Sequence, residues 1–412
     1  MRILWATPMD KRSAIALFSR AVCSELAERG HEVLIRRIEA DEFAYTEPLP
    51  ISLPVLGPDD YSHGFNADLT VLNLGNYTPY HARMLDVVCP HLPFMIFHDA
   101  EMRDFAWGAH HQLGLDLNAI ARNQATERSE TNIIVTKEAS AHLALYASLS
   151  CGAVVHGPHY YDIVESSSPG PTSTIPLCFP DIGTLPRRPR PTSAVPRITI
   201  FGTINPNKQV DRVIEALGRI RLMFDCQLRL IGPYHQDEHQ RLTRLADDVG
   251  ILPICWTGYV NDDQLRQHLA DTDVACCLRF PITEGGSASV ATALYSGNPT
   301  IVVNAASYSL IPDECVSKVP YGTDSRSLAN AIGRLLSEPE FAARQGAAGR
   351  AWAIQAYSAE SYVNRLEPLL QTALDNLPWL RAVRKLSPAI PQLHSSVAVE
   401  LLARAVTDLS GD

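Results

Sequence analysis

The sequence predicts an α/β protein of two domains, each a parallel sheet covered by helices, followed by a helical tail. Three observations predict it. Short, continuously apolar strands alternate with helical patterns through the first half, a proline-rich stretch breaks the alternation, and the alternation then restarts. At 412 residues, 46% of them hydrophobic, the chain is too long for one ordinary domain and has ample material for two cores.

The first strands are expected at 3–6, 32–35, 69–74, 93–98 and 132–136. Between the first two, Ile15, Phe18, Val22 and Leu26 recur at helical spacing, and Gly30 stands where a helix ends. Apolar strands separated by helices call for a parallel sheet buried on both faces, a Rossmann-like layout whose ligands bind beyond the carboxyl ends of the strands. From 166 to 196 the composition changes. Eight prolines fall between Pro169 and Pro196, with Arg187, Arg188 and Arg190 among them, which suits neither a helix nor a central strand. A short strand at 174–179 is still assigned to the first domain. The second series of strands is expected at 197–201, 226–231, 253–257, 273–278, 300–303 and 315–319. A helix at 208–217 sets Val210, Val213, Ile214 and Leu217 on one face. No close repeat links the two halves. After 324 the pattern is helical, with a long helix at 357–374 and an apolar stripe of Val397, Leu401, Ala405 and Leu409 at 395–409. The domains are therefore drawn at 1–180, 197–356 and 357–412, with 181–196 as linker and the last helices packing back toward the first domain.

Composition narrows the function. A net charge of -10 and a pI near 5.8 do not favour nucleic acid or an anionic membrane as the main partner, and neither is expected, with at most peripheral membrane contact by the basic piece 379–385. Any anionic ligand must meet locally concentrated Lys and Arg. The nine cysteines are scattered, odd in number and without a C-x-x-C pair, which fits buried free thiols in a reducing compartment. No signal-peptide core or membrane-spanning stretch is present in the sequence, so a cytoplasmic location is expected. His81, His156 and His159 lack metal-ligand spacing and no H-E-x-x-H occurs, so neither a metal nor a resident cofactor is expected. Thr7-Pro8-Met9-Asp10 follows the first strand where a nicotinamide-binding domain has G-x-G-x-x-G, which disfavours that class.

One segment carries an anion site. The strand ending at Leu278 runs through Arg279, Glu284, Gly285 and Gly286 into a helix starting near Ser287. Glycines that let the backbone approach a ligand, and the free N–H groups of a helix start, suit a diphosphate. An ordinary glycine-eased βα turn is the plainer alternative, and the neighbouring Arg279 and Glu284 favour the ligand site. Tyr259, after the strand at 253–257 and with Gly232-Pro233 nearby, suits a nucleobase pocket as well as it suits core packing.

Three ordered segments then carry a resemblance. They are 2–8 with 12–15 and 26–33; 201–208 (Phe-Gly-Thr-Ile-Asn-Pro-Asn-Lys) running into 213–217; and 278–289 running into 293–302. Weaker matches lie at 74–81, 97–99 and 258–262. Over roughly residues 1–375 the set resembles the retaining glycosyltransferases of family 4. The resemblance implies the GT-B fold, two Rossmann-like domains facing across a cleft, and transfer of a hexose from a nucleotide diphosphate sugar to a hydroxyl acceptor. It implies that Glu284, the first carboxylate of the family's paired-Glu motif, binds hydroxyls of the donor sugar. The second falls eight residues on, where this chain has Thr292, which keeps one hydrogen bond to the ribose without its charge. Lys208 matches the lysine on the donor diphosphate. Thr203, after Gly202, stands where the family often has an arginine, and Arg279 is expected to supply the missing cation. Ser287, Gly285 and Gly286 complete the expected donor set with Tyr259. On the first domain His98, Asp99, Arg12 and Ser13, with Lys11 beside them, are expected to face the donor or acceptor. The family's commonly proposed route uses a phosphate oxygen as base, so Glu284, Lys208, Arg279 and His98 would act by positioning and electrostatics. A catalytically weak GT-B partner subunit is the alternative, on the strength of Thr203 and Thr292.

Overall fold

The computed structural model describes residues 1–57, 59–60, 66–88, 91–114, 116–117, 119–120, 134–183, 185 and 194–386. It divides into two compact units, Met1–Pro176 together with the chain from Tyr362, and Leu177–Ser361.

The first unit is a seven-stranded parallel sheet of Arg2–Thr7 (β1), Glu32–Arg37 (β2), Val55–Leu56 (β3), Leu69–Leu74 (β4), Phe94–Phe97 (β5), Gly152–Val155 (β6) and Thr172–Thr174 (β7). Its order is β3-β2-β1-β4-β5-β6-β7. Every residue of β4, β5 and β6 is buried, as strands covered on both faces must be. Helix Ala14–Glu28 buries Phe18, Val22, Cys23 and Leu26 and ends in a left-handed Gly30 at φ 89°, with the amide of His31 donating back to the carbonyl of Leu26. Helix Ala359–Leu386 also belongs largely to this unit. Its Tyr362, Val363, Leu366, Leu370, Ala373 and Leu377 form one buried stripe, and the Tyr362 ring meets Phe18 edge-on at 5.0 Å.

The second unit is a six-stranded parallel sheet of Arg197–Phe201 (β8), Gln227–Ile231 (β9), Cys255–Gly258 (β10), Val274–Cys277 (β11), Thr300–Val303 (β12) and Ser317–Val319 (β13). Its order is β10-β9-β8-β11-β12-β13. The chain runs outward from β8 in one direction and restarts at β11 in the other. The loops leaving β8 and β11 therefore diverge and open a crevice at the carboxyl ends of those strands. In the first unit β1 and β4 stand in the same relation.

Several sequence expectations are corrected. Residues 134–136 of the strand expected at 132–136 are not strand, and 132–133 lie outside the described residues. Thr136 instead caps helix Lys137–Ser148, its hydroxyl accepting from the amide of Ala139, and β6 takes the place in the sheet. The strand expected at 174–179 is instead β7 at Thr172–Thr174, which shares only Thr174 with the expected span and pairs with β6. The long helix continues to Leu386 through Pro368 and Pro378. The helix expected at 395–409, Cys89 and most of the proline-rich linker lie outside the described residues. The eight described cysteines are all free, and among the described residues no helix is long and apolar enough to cross a membrane.

Candidate active site

Two glycines let the loops of the second unit close on one another. Gly202, just past β8, has φ 87°, and a Cβ there would stand 3.2 Å from Lys208 Nζ and 3.3 Å from Ser289 Oγ. Gly232, just past β9, has φ 134°, and its Cβ would lie 2.3 Å from the carbonyl oxygen of Gly202. Only glycine allows that backbone-to-backbone approach.

Lys208 ends the 3-10 turn Pro206–Lys208 and is 4% exposed; its Nζ donates to the carbonyl of Phe201 at 2.6 Å. The same carbonyl accepts from Ser289 Oγ at 3.4 Å, so one acceptor ties the loop after β8 to the helix after β11. Burial, followed by the nearby Arg279 charge, lowers the Lys208 ammonium to about 7, against the opposing pull of Cys277 and Glu284.

Arg279 and Glu284 form an ion pair, Nε to Oε1 at 2.6 Å, with side chains 14% and 19% exposed. Arg279 Nη1 donates to the carbonyl of Leu278 at 2.8 Å, and Nη2 has no hydrogen-bond partner among the described residues. The hydroxyl of Tyr308 donates to the same Glu284 Oε1 at 2.7 Å, while Oε2 has only Thr283 Oγ1 at 3.5 Å. Burial acts to raise the Glu284 carboxyl, but the Arg279 charge and the Tyr308 hydrogen bond hold it below the usual carboxylate value. For Arg279, burial acts against the charged form and Glu284 outweighs it, leaving the guanidinium above its usual value.

The helix after this loop is Ala288–Tyr295, capped by Ser287, whose hydroxyl oxygen accepts from the amide of Val290 at 3.4 Å. Ser289, in its first turn, shares the Phe201 carbonyl with Lys208, and Arg279 lies near enough to act on the Lys208 charge, so the helix start and two cationic side chains converge at the switch point of the sheet. The expected donor residues meet here with two differences. Gly286 does not open the backbone to a ligand, because a Cβ there would strike Leu177 at 2.7 Å; its small size serves packing. Thr292 is 5% exposed and donates its hydroxyl back to the carbonyl of Ala288 at 2.9 Å, so its proton is engaged within its own helix. Gly285 is buried, Thr203 is exposed, and Tyr259 is 74% exposed just past Gly258, whose carbonyl accepts from the amide of Gly232.

On the first unit the loop after β1 carries Asp10, Lys11, Arg12 and Ser13. Arg12 grips Asp10 with two bonds, at 2.9 and 3.1 Å, and Tyr80 from the loop after β4 adds a third at 3.3 Å. The Asp10 carboxyl is lowered first by Arg12, against burial. Lys11 pairs with Glu47, and Ser13 precedes helix Ala14–Glu28 without capping it through its side chain. Behind the loop, Glu39 is fully buried, accepts from the amide of Met9 and pairs with Arg37. Asp99 accepts from the amide of Asn76 at 2.7 Å.

His98 is 7% exposed and both ring nitrogens are engaged, Nε2 with Asn73 Oδ1 at 3.0 Å and Nδ1 with His156 Nε2 at 3.2 Å. His156 Nδ1 meets the carbonyl of Ile175 at 3.0 Å, while the Asn73 amide donates to the carbonyl of Ala6. The row ends in an acceptor on each side. Its three contacts need three protons, and two neutral imidazoles carry two. Burial lowers His98 well below the usual histidine value and His156 to about 4, so at neutral pH both rings are neutral and one contact goes without a proton.

Among the described residues no group of three or more His, Cys, Asp or Glu is arranged to hold a metal ion. The sequence reading missed Tyr308, Ser289 and the role of Gly232. Gly232 had a signal, a glycine at a strand end; Tyr308 had none, since its partner lies 24 residues away.

Comparison with known proteins defines the class. Over nine-tenths of its length the chain has the fold of sucrose-phosphate synthase from Thermosynechococcus elongatus (TM-score 0.62, 15% identity, 90% of this chain and 98% of that one). Anabaena HepE, solved in complex with UDP and glucose, is similar to the same degree (TM-score 0.61, 14% identity, 90% and 99%). The fold is GT-B, two Rossmann-like α/β units with a helical C-terminal segment. Residues 186–352, which include every donor-side residue described above, match the family model for glycosyl transferases group 1. The chain is 27% identical over 180 residues to the MMP alpha-(1->4)-mannosyltransferase of Mycolicibacterium hassiacum, 43% of each chain. It is 29% identical over 185 residues to the GDP-mannose-dependent alpha-(1-6)-phosphatidylinositol monomannoside mannosyltransferase of Mycolicibacterium smegmatis, 42% of this chain and 47% of that one. The matches thus span about half the length of these curated relatives.

Proposed function

We propose that the chain is a retaining glycosyltransferase of the family 4 type that moves a hexose, most simply mannose, from a nucleotide diphosphate sugar to a hydroxyl acceptor. The carrying observation is the convergence of Lys208, Arg279, Glu284 and the start of helix Ala288–Tyr295 at the switch point of the second sheet. The similarity to GDP-mannose-dependent enzymes supports a mannosyl donor.

In this reading the diphosphate lies against the first-turn amides and receives Lys208 Nζ and Arg279 Nη2, which stabilise the charge that develops as the glycosidic bond breaks. Glu284 accepts hydroxyls of the donor sugar through Oε2. Because the leaving phosphate oxygen takes the acceptor's proton on the same face, the protein supplies no base, and no protein-bound metal is required. Thr292, with its hydroxyl engaged, contributes little to the ribose. His98, with both nitrogens held inside its own unit, acts by fixing the strand end that carries Asp99.

The test is a thermal-stabilisation screen of GDP-mannose, UDP-glucose and their diphosphates, followed by release of nucleotide with and without simple glycoside acceptors. A ligand at a hundredfold excess over its Kd adds roughly 2.7 kcal/mol of stability. Retention is read from the anomeric configuration of the product by NMR. No stabilisation by any nucleotide sugar would remove the reading.

A further inference from the structure

Glu284 is the only carboxylate among the described residues that the ion pair with Arg279 engages, and its two oxygens are treated differently. Oε1 receives both the Arg279 guanidinium, at 2.6 Å, and the Tyr308 hydroxyl, at 2.7 Å. Oε2 has only the distant Thr283 hydroxyl. A carboxylate offers about four acceptor positions, and here the two strong donors crowd onto one oxygen. The rotation of the carboxyl group is thereby fixed with the other oxygen left open.

Tyr308 is well built to impose that orientation. It is 2% exposed and sits in the 3-10 turn Ala306–Leu310 after β12, where Ala306 takes a left-handed φ of 54°, which delivers the ring inward. The hydroxyl of Ser287, the cap of helix Ala288–Tyr295, lies close enough to act on the Tyr308 phenol. The phenol thus stands between the helix start, where a diphosphate would lie, and the carboxylate, where a sugar would lie.

We propose that Tyr308 is a positioning residue for donor-sugar selection: it holds Glu284 Oε1 so that Oε2 faces the sugar hydroxyls, and it thereby sets how much better the site binds a nucleotide sugar than the bare nucleotide. The inference rests on the glycosyltransferase reading and adds the residue that orients the sugar contact.

The readout is a ratio, the Kd of GDP divided by that of GDP-mannose, with UDP and UDP-glucose as the second pair, measured by titration calorimetry. Tyr308→Phe keeps the ring and removes the hydroxyl. The ratio is expected to fall by about tenfold, the loss of one hydrogen bond to a charged group, with the diphosphate Kd itself unchanged. The acid limb of nucleotide-sugar binding is expected to move to higher pH, because the carboxylate loses one of the donors that hold its pKa down. In a Glu284→Ala background the Tyr308→Phe change is expected to have no effect on the ratio, as a purely structural phenol would not predict. Tyr308→Met makes the same test if the Phe variant proves poorly folded by circular dichroism. An unchanged ratio in a folded variant, or an equal fall in both backgrounds, overturns the inference. Wild type that binds neither the nucleotide nor its sugar overturns the glycosyltransferase reading itself.

Discussion

Lys208 is the point where stability and ligand binding pull hardest against each other. A lysine ordinarily titrates near 10.5, and burial beside Arg279 brings this one to about 7. Holding the full charge in the folded state therefore costs about 5 kcal/mol, and about 4 kcal/mol at pH 7, where the group is half neutral. Replacing the amine by an apolar side chain of similar length removes that cost, and also the hydrogen bond to Phe201, worth about 1 kcal/mol. Lys208→Met is therefore expected to stabilise the second unit by about 1–3 kcal/mol at pH 7 after allowance for imperfect packing. The sign with pH follows from where the proton sits. The folded-state pKa is depressed, so between 7 and 10.5 the unfolded chain holds a proton that the folded chain lacks. Wild-type stability from this group rises across that window, and is lowest below it. The advantage of Lys208→Met is thus full below pH 7, still large at pH 7, and fades toward pH 10. Calorimetric unfolding of both proteins at pH 7, 8 and 9 measures it. A variant less stable than wild type at pH 7, or a gain that does not shrink as pH rises, refutes the reasoning.

Two further outcomes follow from the site and its surroundings. Gly232→Ala is expected to destabilise the protein by about 2–4 kcal/mol and to weaken nucleotide binding, since its Cβ would force Gly202 away from Lys208; denaturant titration and calorimetry check both. Acid is expected to unfold the first unit early. His81 is held at about 3 and His156 at about 4 by burial, so stability is complete above the ordinary histidine value of 6.5 and is lost as pH falls from there toward 4, by roughly 3 kcal/mol for His156 alone. Urea midpoints at pH 7 and pH 5 that coincide would refute it.

The middle of the second sheet was readable because β8, β11 and β12 are largely apolar and buried, which is what cover on both faces demands, while the edge strands β10 and β13 are half-buried and carry polar residues such as Thr257 and Lys318. The first sheet was less so. Val55–Leu56 is two residues long, and Gly152–Val155 begins with a glycine whose absent side chain leaves room for Phe94 and the carbonyl of Pro171, contacts no local pattern announces. The strand expected at 132–136 read as apolar and β-branched, but Thr136 found a better use as a helix cap. The same division holds at the site. Lys208, Arg279 and Glu284 were legible because motif spacing fixes residues near the ends of β8 and β11. Their pairing was not: Arg279 and Glu284 meet within the one loop after β11, and that Tyr308 shares the same oxygen depends on β11 and β12 lying side by side. The sequence suggests Thr292 as a shortened ribose contact, whereas its hydroxyl is satisfied by its own helix.

The pairing of Arg279 has a consequence for how an acidic protein receives a polyanion. With Arg279 matched by Glu284 and Lys208 about half neutral at pH 7, these three groups together carry only about half a unit of net positive charge before a ligand binds. A buried cation with no anion beside it is costly, so the lysine sheds its proton until the ligand arrives. A diphosphate placed within a few ångströms of Nζ reverses the balance and draws the proton back. Binding of GDP or UDP should accordingly take up about half a proton at pH 7 and close to one at pH 8.5, and affinity should fall roughly fiftyfold between pH 7 and pH 9. Titration calorimetry in two buffers of different ionisation enthalpy counts the protons directly. Lys208→Met should show the same count reduced to the small contribution of the phosphates themselves. Equal proton uptake by the variant and the wild type would place the titrating group elsewhere and remove Lys208 from the diphosphate site.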